Sequence, residues 1–134
     1  MGKLIQRLQD ASRSGVYRVA GSEEIMDAVR GSNLFLARIP FGLKEKLLQN
    51  IAAALDFPDW FGANWDALED CLSDLAGQGY VLLFEEANPG DDLGILIDVL
   101  RSSAESWAAR GKPFFAVFID PARSLPLPEL FTQK

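Results

Sequence analysis

Apolar residues first recur at helical spacing, with Leu4, Ile5, Leu8 and Ala11 predicting a short helix in the first dozen residues. Gly15 then opens a strand-like run, Val16 to Val19, whose alternation predicts one buried face. Ser22 reads as an N-cap, with Glu23 and Glu24 in a first turn where the helix dipole favours negative charge. That helix carries Ile25, Met26 and Val29 and should stop near Gly31; a second strand, Leu34 to Ile39, ends at Pro40, which lacks a ladder donor.

Leu43, Leu47, Leu48, Ile51 and Leu55 give the clearest amphipathic helix, closed by Phe57-Pro58. An aromatic, glycine-containing turn, Asp59 to Asn64, then feeds a helix expected to start near Trp65. On it Leu68, Cys71, Leu72 and Leu75 share one face, while Asp66, Glu69, Asp70 and Ser73 share the opposite one. After the breaker Gly77-Gln78-Gly79, Tyr80–Phe84 and Phe114–Ile119 are unbroken apolar runs, the pattern of strands buried on both faces in a parallel sheet. Between them, Asn88 to Asp92 reads as a turn and cap. Leu93, Leu96, Ile97, Leu100, Ala104 and Trp107 follow on a long helix ending near Gly111. The order of elements argues an α/β fold with a small, mainly parallel sheet. A tail with three prolines, residues 121–134, is expected to lie on the surface or fray.

A length of 134 residues, half of them apolar, suits one domain spanning 1–134. Charge sharpens the picture: thirteen Lys and Arg against nineteen Asp and Glu give a net charge of -6. No basic residue lies between Lys46 and Arg101, an interval holding eleven of the nineteen acids. Such a surface suits neither nucleic acid nor an anionic membrane and instead attracts a basic protein. One cysteine, Cys71, excludes an internal disulfide and fits a reducing compartment. The N-terminus has no apolar signal region, and the longest apolar run is too short to span a bilayer. A cytoplasmic monomer is expected.

The chain has no histidine, which removes Ser-His-Asp and Cys-His catalysis and histidine-ligated zinc. There is no GxGxxG after a strand and no phosphate-binding GxxxxGK[ST]. No catalytic residue, metal or cofactor is assigned. What remains for an enzyme is carboxylate chemistry or magnesium binding at Asp66, Glu69 and Asp70, although acids at this spacing also occur on ordinary solvated faces. Cys71 and Trp107 read as core, Trp60 and Phe61 as possible plugs of the core's end, Gly62 as a turn residue at positive φ, and Asn64 as a helix cap.

The residues Trp60-Phe61-Gly62-Ala63-Asn64-Trp65-Asp66-Ala67-Leu68-Glu69-Asp70-Cys71-Leu72 resemble the signature of the barstar family of intracellular ribonuclease inhibitors. That pattern is two aromatics, Gly, any residue, Asn, a bulky apolar residue, Asp-Ala-Leu, any residue, Asp-Cys-Leu. The resemblance extends more loosely from about Leu34 to Asp120 and leaves residues 1–32 as an N-terminal extension. It implies a three-stranded parallel sheet covered by helices, to which the extension adds a strand and a helix that lengthen the sheet or cover an edge. It also implies a partner: a basic, barnase-like bacterial ribonuclease whose cationic cleft receives the loop and helix. Asp70 would then stand in for a substrate phosphate, Asp66 would pair beside it, and Trp60, Gly62, Asn64, Trp65 and Ala67 would line the contact. Trp60 and Phe61 stand where the best-known member has tyrosines, and Glu69 replaces an aromatic. Late in the long helix, Ser106 stands where that member has an acid. Two alternatives stay open, a carboxylate-based metal-dependent enzyme and a regulatory module for another basic partner.

Overall fold

A computed structural model describes residues 2–40, 44–58, 62, 64–85 and 91–130. Its elements run α1 (Gly2–Leu8), a 3-10 turn (Ala11–Arg13), β1 (Gly15–Val19), α2 (Glu23–Val29), β2 (Phe35–Pro40), α3 (Lys44–Leu55) and α4 (Trp65–Ser73). β3 (Tyr80–Glu85), α5 (Asp91–Ala109) and β4 (Phe114–Ile119) complete them. The strands form one four-stranded sheet in the order β1-β4-β3-β2, every pairing parallel. The extension's strand therefore lengthens the sheet, adding β1 beside β4. This is the α/β architecture that the strand and helix patterns predict.

β3 and β4 sit in the centre, and that position explains their unbroken apolar sequence. Leu82, Phe84, Phe114, Ala116 and Phe118 project to one side, where α3, α4 and α5 cover them. Val81, Leu83, Phe115 and Val117 project to the other, where Leu8 of α1 and Ile25 and Val29 of α2 cover them. Leu130 of the tail joins the same cluster, but α1 and α2 are the helices packed there, so the extension supplies the helical layer that a doubly buried sheet needs. β1 departs from the single buried face expected of it. Val16 joins one core and Val19 the other, because helices lie on both sides of the strand.

Ser22 occupies the N-cap position of α2 but makes no side-chain capping bond. Its backbone, at φ -98 and ψ -15, is helical rather than extended, so the hydroxyl is not aimed at the first-turn amides. α3 and α5 end alike. Lys112 N–H reaches back to the Trp107 carbonyl over Gly111 at φ 77, and Phe57 N–H reaches the Ala52 carbonyl over Asp56 at φ 55.

The tail does not fray within the described residues. Leu125, Leu127 and Leu130 are buried, and Arg18 of β1 exchanges backbone hydrogen bonds with Pro128 and Leu130 at 2.9 and 3.0 Å. The stretch thus caps the outer edge of β1, with Pro128, which has no N–H to donate, contributing its carbonyl. Asp120 pins the start of this excursion. Its carboxylate accepts hydrogen bonds from Ser124 N–H and Oγ, both at 3.0 Å, and from Leu125 N–H at 2.8 Å. Burial pushes its pKa up, but those bonds and the nearby Arg18 charge outweigh burial and hold it below the usual carboxylate value.

The Trp107 indole is fully buried and donates to the Leu72 carbonyl at 2.9 Å. Trp107→Phe should therefore cost at least about 1–3 kcal/mol in chemical denaturation, since it strands a buried acceptor. Because the Asp120 pKa is depressed on folding, its contribution is present above the unfolded value of about 3.9 and lost as pH falls through the folded one. Asp120→Asn should be less stable than wild type at neutral pH, and the two stabilities should converge in acid.

Candidate functional site

The acid-faced helix is built from its first residue. Asn64 has extended backbone at φ -135 and ψ 171, and its Oδ1 accepts the Ala67 N–H at 2.8 Å, satisfying one of the amides that a helix start leaves open. The expected cap at Asn64 is thus present. Gly62 differs from expectation, because it does not occupy the positive-φ region where Gly31 and Gly111 lie. A Cβ there would come within 3.0 Å of Asn64 Nδ2, so the glycine leaves room for the capping side chain. Asp59, Trp60, Phe61 and Ala63 fall outside the described residues, and with them the contact assigned to Trp60 and the plug assigned to Trp60 and Phe61.

Periodicity along α4 separates its faces. Leu68, Cys71 and Leu72 are buried, Trp65 and Ala67 are half-buried, and Asp66, Glu69 and Asp70 are exposed. At the C-terminal end Asp74 N–H occupies the Asp70 and Cys71 carbonyls, leaving that of Leu72 open. The Trp107 indole N–H fills it from α5. One hydrogen bond therefore closes the helix end and fastens α4 to α5.

On the outer side, Ser102 Oγ of α5 donates to Glu69 Oε2 at 3.1 Å, so Glu69 is tethered to its neighbour helix. Asp66 and Asp70 form no ion pair among the described residues. Asp66 benefits from its place in the first turn. Asp70 and Asp74 face the negative end of the helix dipole, with no basic residue in the last turn to offset them. Like charges at 66, 70 and 74 repel as well. As local design the face is unfavourable, by a few tenths of a kcal/mol for each such pair.

Chemistry at the site is limited. Burial raises the Cys71 pKa, reinforced by the carboxylates of Asp74 and Asp70, so the thiol stays protonated near neutrality and is a poor nucleophile. Among the described residues no three His, Cys, Asp or Glu side chains come together as a metal site. Likewise, no described helix is long and apolar enough to cross a membrane. Of the residues expected to act together, Asn64, Asp66, Ala67 and Asp70 are brought onto one helix start and its outer face. The supporting contacts of Trp107 and Ser102, respectively 35 and 33 residues away in sequence from their acceptors, were not anticipated. A tryptophan on an apolar helix face was a usable signal for the first, because a buried indole N–H needs an acceptor.

The cap generates a prediction: Asn64→Ala should destabilise the protein by about 0.5–2 kcal/mol in denaturant titrations, with α4 amides near its start losing protection. Comparison with known proteins bears on what the helix is for. A search among curated proteins finds no match. The family model described as Barstar (barnase inhibitor) matches residues 41–119, beginning just after β2 and ending with β4. The match takes in α3, α4, α5 and the two central strands, which is more than half of the chain, and on that ground the protein belongs to the barstar family.

Proposed function

We propose that α4 and the turn before it form the contact surface of an inhibitor that enters the cationic active-site cleft of a basic, barnase-like ribonuclease. The family is one of inhibitors, and the carrying observation is the pair Asp66 and Asp70, exposed on one face of a well-fastened helix with no cation of their own among the described residues. A cleft that binds phosphates offers the missing cations. Asp70 takes the central, phosphate-mimicking place and Asp66 pairs beside it. Trp60, Gly62, Asn64, Trp65 and Ala67 complete the contact. The net charge of -6 steers a basic partner toward this surface and speeds encounter. In this reading the protein acts as a cytoplasmic monomer that protects its own cell, as an immunity protein does. Glu69, tethered to Ser102, adds a charge at the edge of the contact and tunes which nuclease fits.

The test is RNA cleavage by a barnase-like ribonuclease titrated with the protein. Stoichiometric loss of cleavage is expected, and unchanged cleavage at micromolar protein would reject that partner. Asp70→Ala should weaken inhibition by about 2–5 kcal/mol, the scale of a buried interfacial charge pair left without its carboxylate. That scale comes from interfaces that include the family's own type member. The same variant should unfold no more easily than wild type, since it relieves repulsion along α4. Because the chain has no histidine, any pH dependence of binding between about 6 and 8 should follow the partner's titrating groups, checked by comparing profiles for wild type and the partner's histidine variants.

A further inference from the structure

We propose that the open half of the β1 edge binds a free α-amino acid, held through its carboxylate and its ammonium together. A strand directs the backbone groups of alternate residues to opposite sides. The Val19 carbonyl accepts the Asp120 N–H at 2.7 Å on the β4 side, whereas Arg18 turns the other way, its N–H and carbonyl bonded to Pro128 and Leu130 of the tail. Val16, two residues before Arg18, therefore turns its N–H and carbonyl outward as well. The tail does not meet them. In its register with β1 the donor in line for the Val16 carbonyl is residue 128, a proline with no N–H, and neither Val16 group has a hydrogen-bond partner among the described residues. An open donor and acceptor on a residue only 4% exposed call for a partner.

A cavity of about 250 Å³ lies along this stretch. Residues 14–17 all line it although their side chains alternate between the two faces of the sheet, so the space follows the edge they share. Pro128 of the tail and Arg101 and Glu105 of α5 complete the lining. The volume falls below the roughly 300–1,000 Å³ of sites for drug-sized ligands, so the cavity suits a small molecule. Arg101 and Glu105 stand one helical turn apart, both exposed, yet neither forms an ion pair among the described residues, in a chain whose net charge is -6. The edge thus offers each sign twice: the Val16 N–H and the Arg101 guanidinium for an anion, the Val16 carbonyl and the Glu105 carboxylate for a cation. An α-amino acid carries both charges on one carbon, placed as a strand residue places its N–H and C=O, and so forms the two-bond pair that an antiparallel neighbour would make. A peptide end carries only one of them. Val16 and Pro128 favour an aliphatic side chain on the ligand.

This site shares no residue with α4, and its test needs no nuclease. The full chain, labelled with nitrogen-15, is titrated at about pH 6.5, where an α-amino group is still charged, with L-leucine, with leucinamide and with N-acetyl-leucine. Saturable shifts are expected for leucine, centred on the amides of residues 14–17, 101 and 105, with slower hydrogen exchange at the Val16 amide. Leucinamide, which lacks the carboxylate, and N-acetyl-leucine, which lacks the ammonium, should each bind about twofold to fivefold more weakly. Arg101→Gln and Glu105→Gln, both at exposed positions, should each weaken leucine by about twofold to fivefold with the remaining spectrum unchanged. Pro128→Ala, which supplies an N–H opposite the Val16 carbonyl, should weaken leucine by about twofold to tenfold. Absence of saturable shifts, shifts centred on α4 instead, or indifference to any one of the three variants would overturn the proposal. Equal binding of either analogue would assign the edge to a peptide end and overturn it too.

Discussion

The acid face depends on one buried hydrogen bond, from the Trp107 indole to the Leu72 carbonyl, made where no water can replace it. An α4 of nine residues is too short to hold itself together in water, so its order is borrowed from packing. Leu68, Cys71 and Leu72 supply the apolar part of that packing. The indole supplies a directional part, satisfying a helix-end carbonyl that would otherwise be buried without a donor. Asn64 does the corresponding work at the other end. With both ends closed, α4 can carry carboxylates that its own electrostatics disfavours.

This division of labour explains why the charges are where they are. Arg38 and Glu85 pair across two strands, and Arg18 and Arg123 both approach Glu129, so the chain does pair acids where they serve the fold. Asp66 and Asp70 are left without such partners among the described residues. A face that costs some stability and is held rigid by buried contacts suits binding, because a preorganised carboxylate loses little freedom when a cation reaches it. Glu69 follows a different rule, its carboxylate engaged by Ser102, which sets it apart from its two neighbours on the same face.

Much of the architecture was legible because it rests on periodicity. Tyr80–Phe84 and Phe114–Ile119 read as doubly buried strands and are the central pair of the sheet, and the split faces of α4 followed from spacing alone. Features that depend on distant contacts were not legible. The tail reads as surface chain by its prolines, yet Leu125, Leu127 and Leu130 bury themselves because β1 offers an open edge. Ser22 reads as a cap, but backbone angles decide whether a hydroxyl can act. Gly62 reads as a turn glycine, whereas its neighbour's side chain sets the requirement. The N-terminal residues lay outside the family resemblance, and their role as cover for one face appears only once the sheet is assembled. In the candidate site, spacing gave the acid row of Asp66, Glu69 and Asp70 and the cap at Asn64, the family resemblance singled out Asp66 and Asp70 within that row, and the ties to Ser102 and Trp107 needed the fold.

In the proposed reading, the exposed face of α4 is the surface that a basic ribonuclease covers. Amide hydrogen exchange of the protein, alone and with an excess of a catalytically inactive barnase-like ribonuclease, tests it directly. Protection gained over residues 62–72, with α1, α2 and the 121–130 stretch unchanged, is the expected result. Protection centred on those other segments, or none at all in a mixture where complex formation is independently demonstrated, would contradict it.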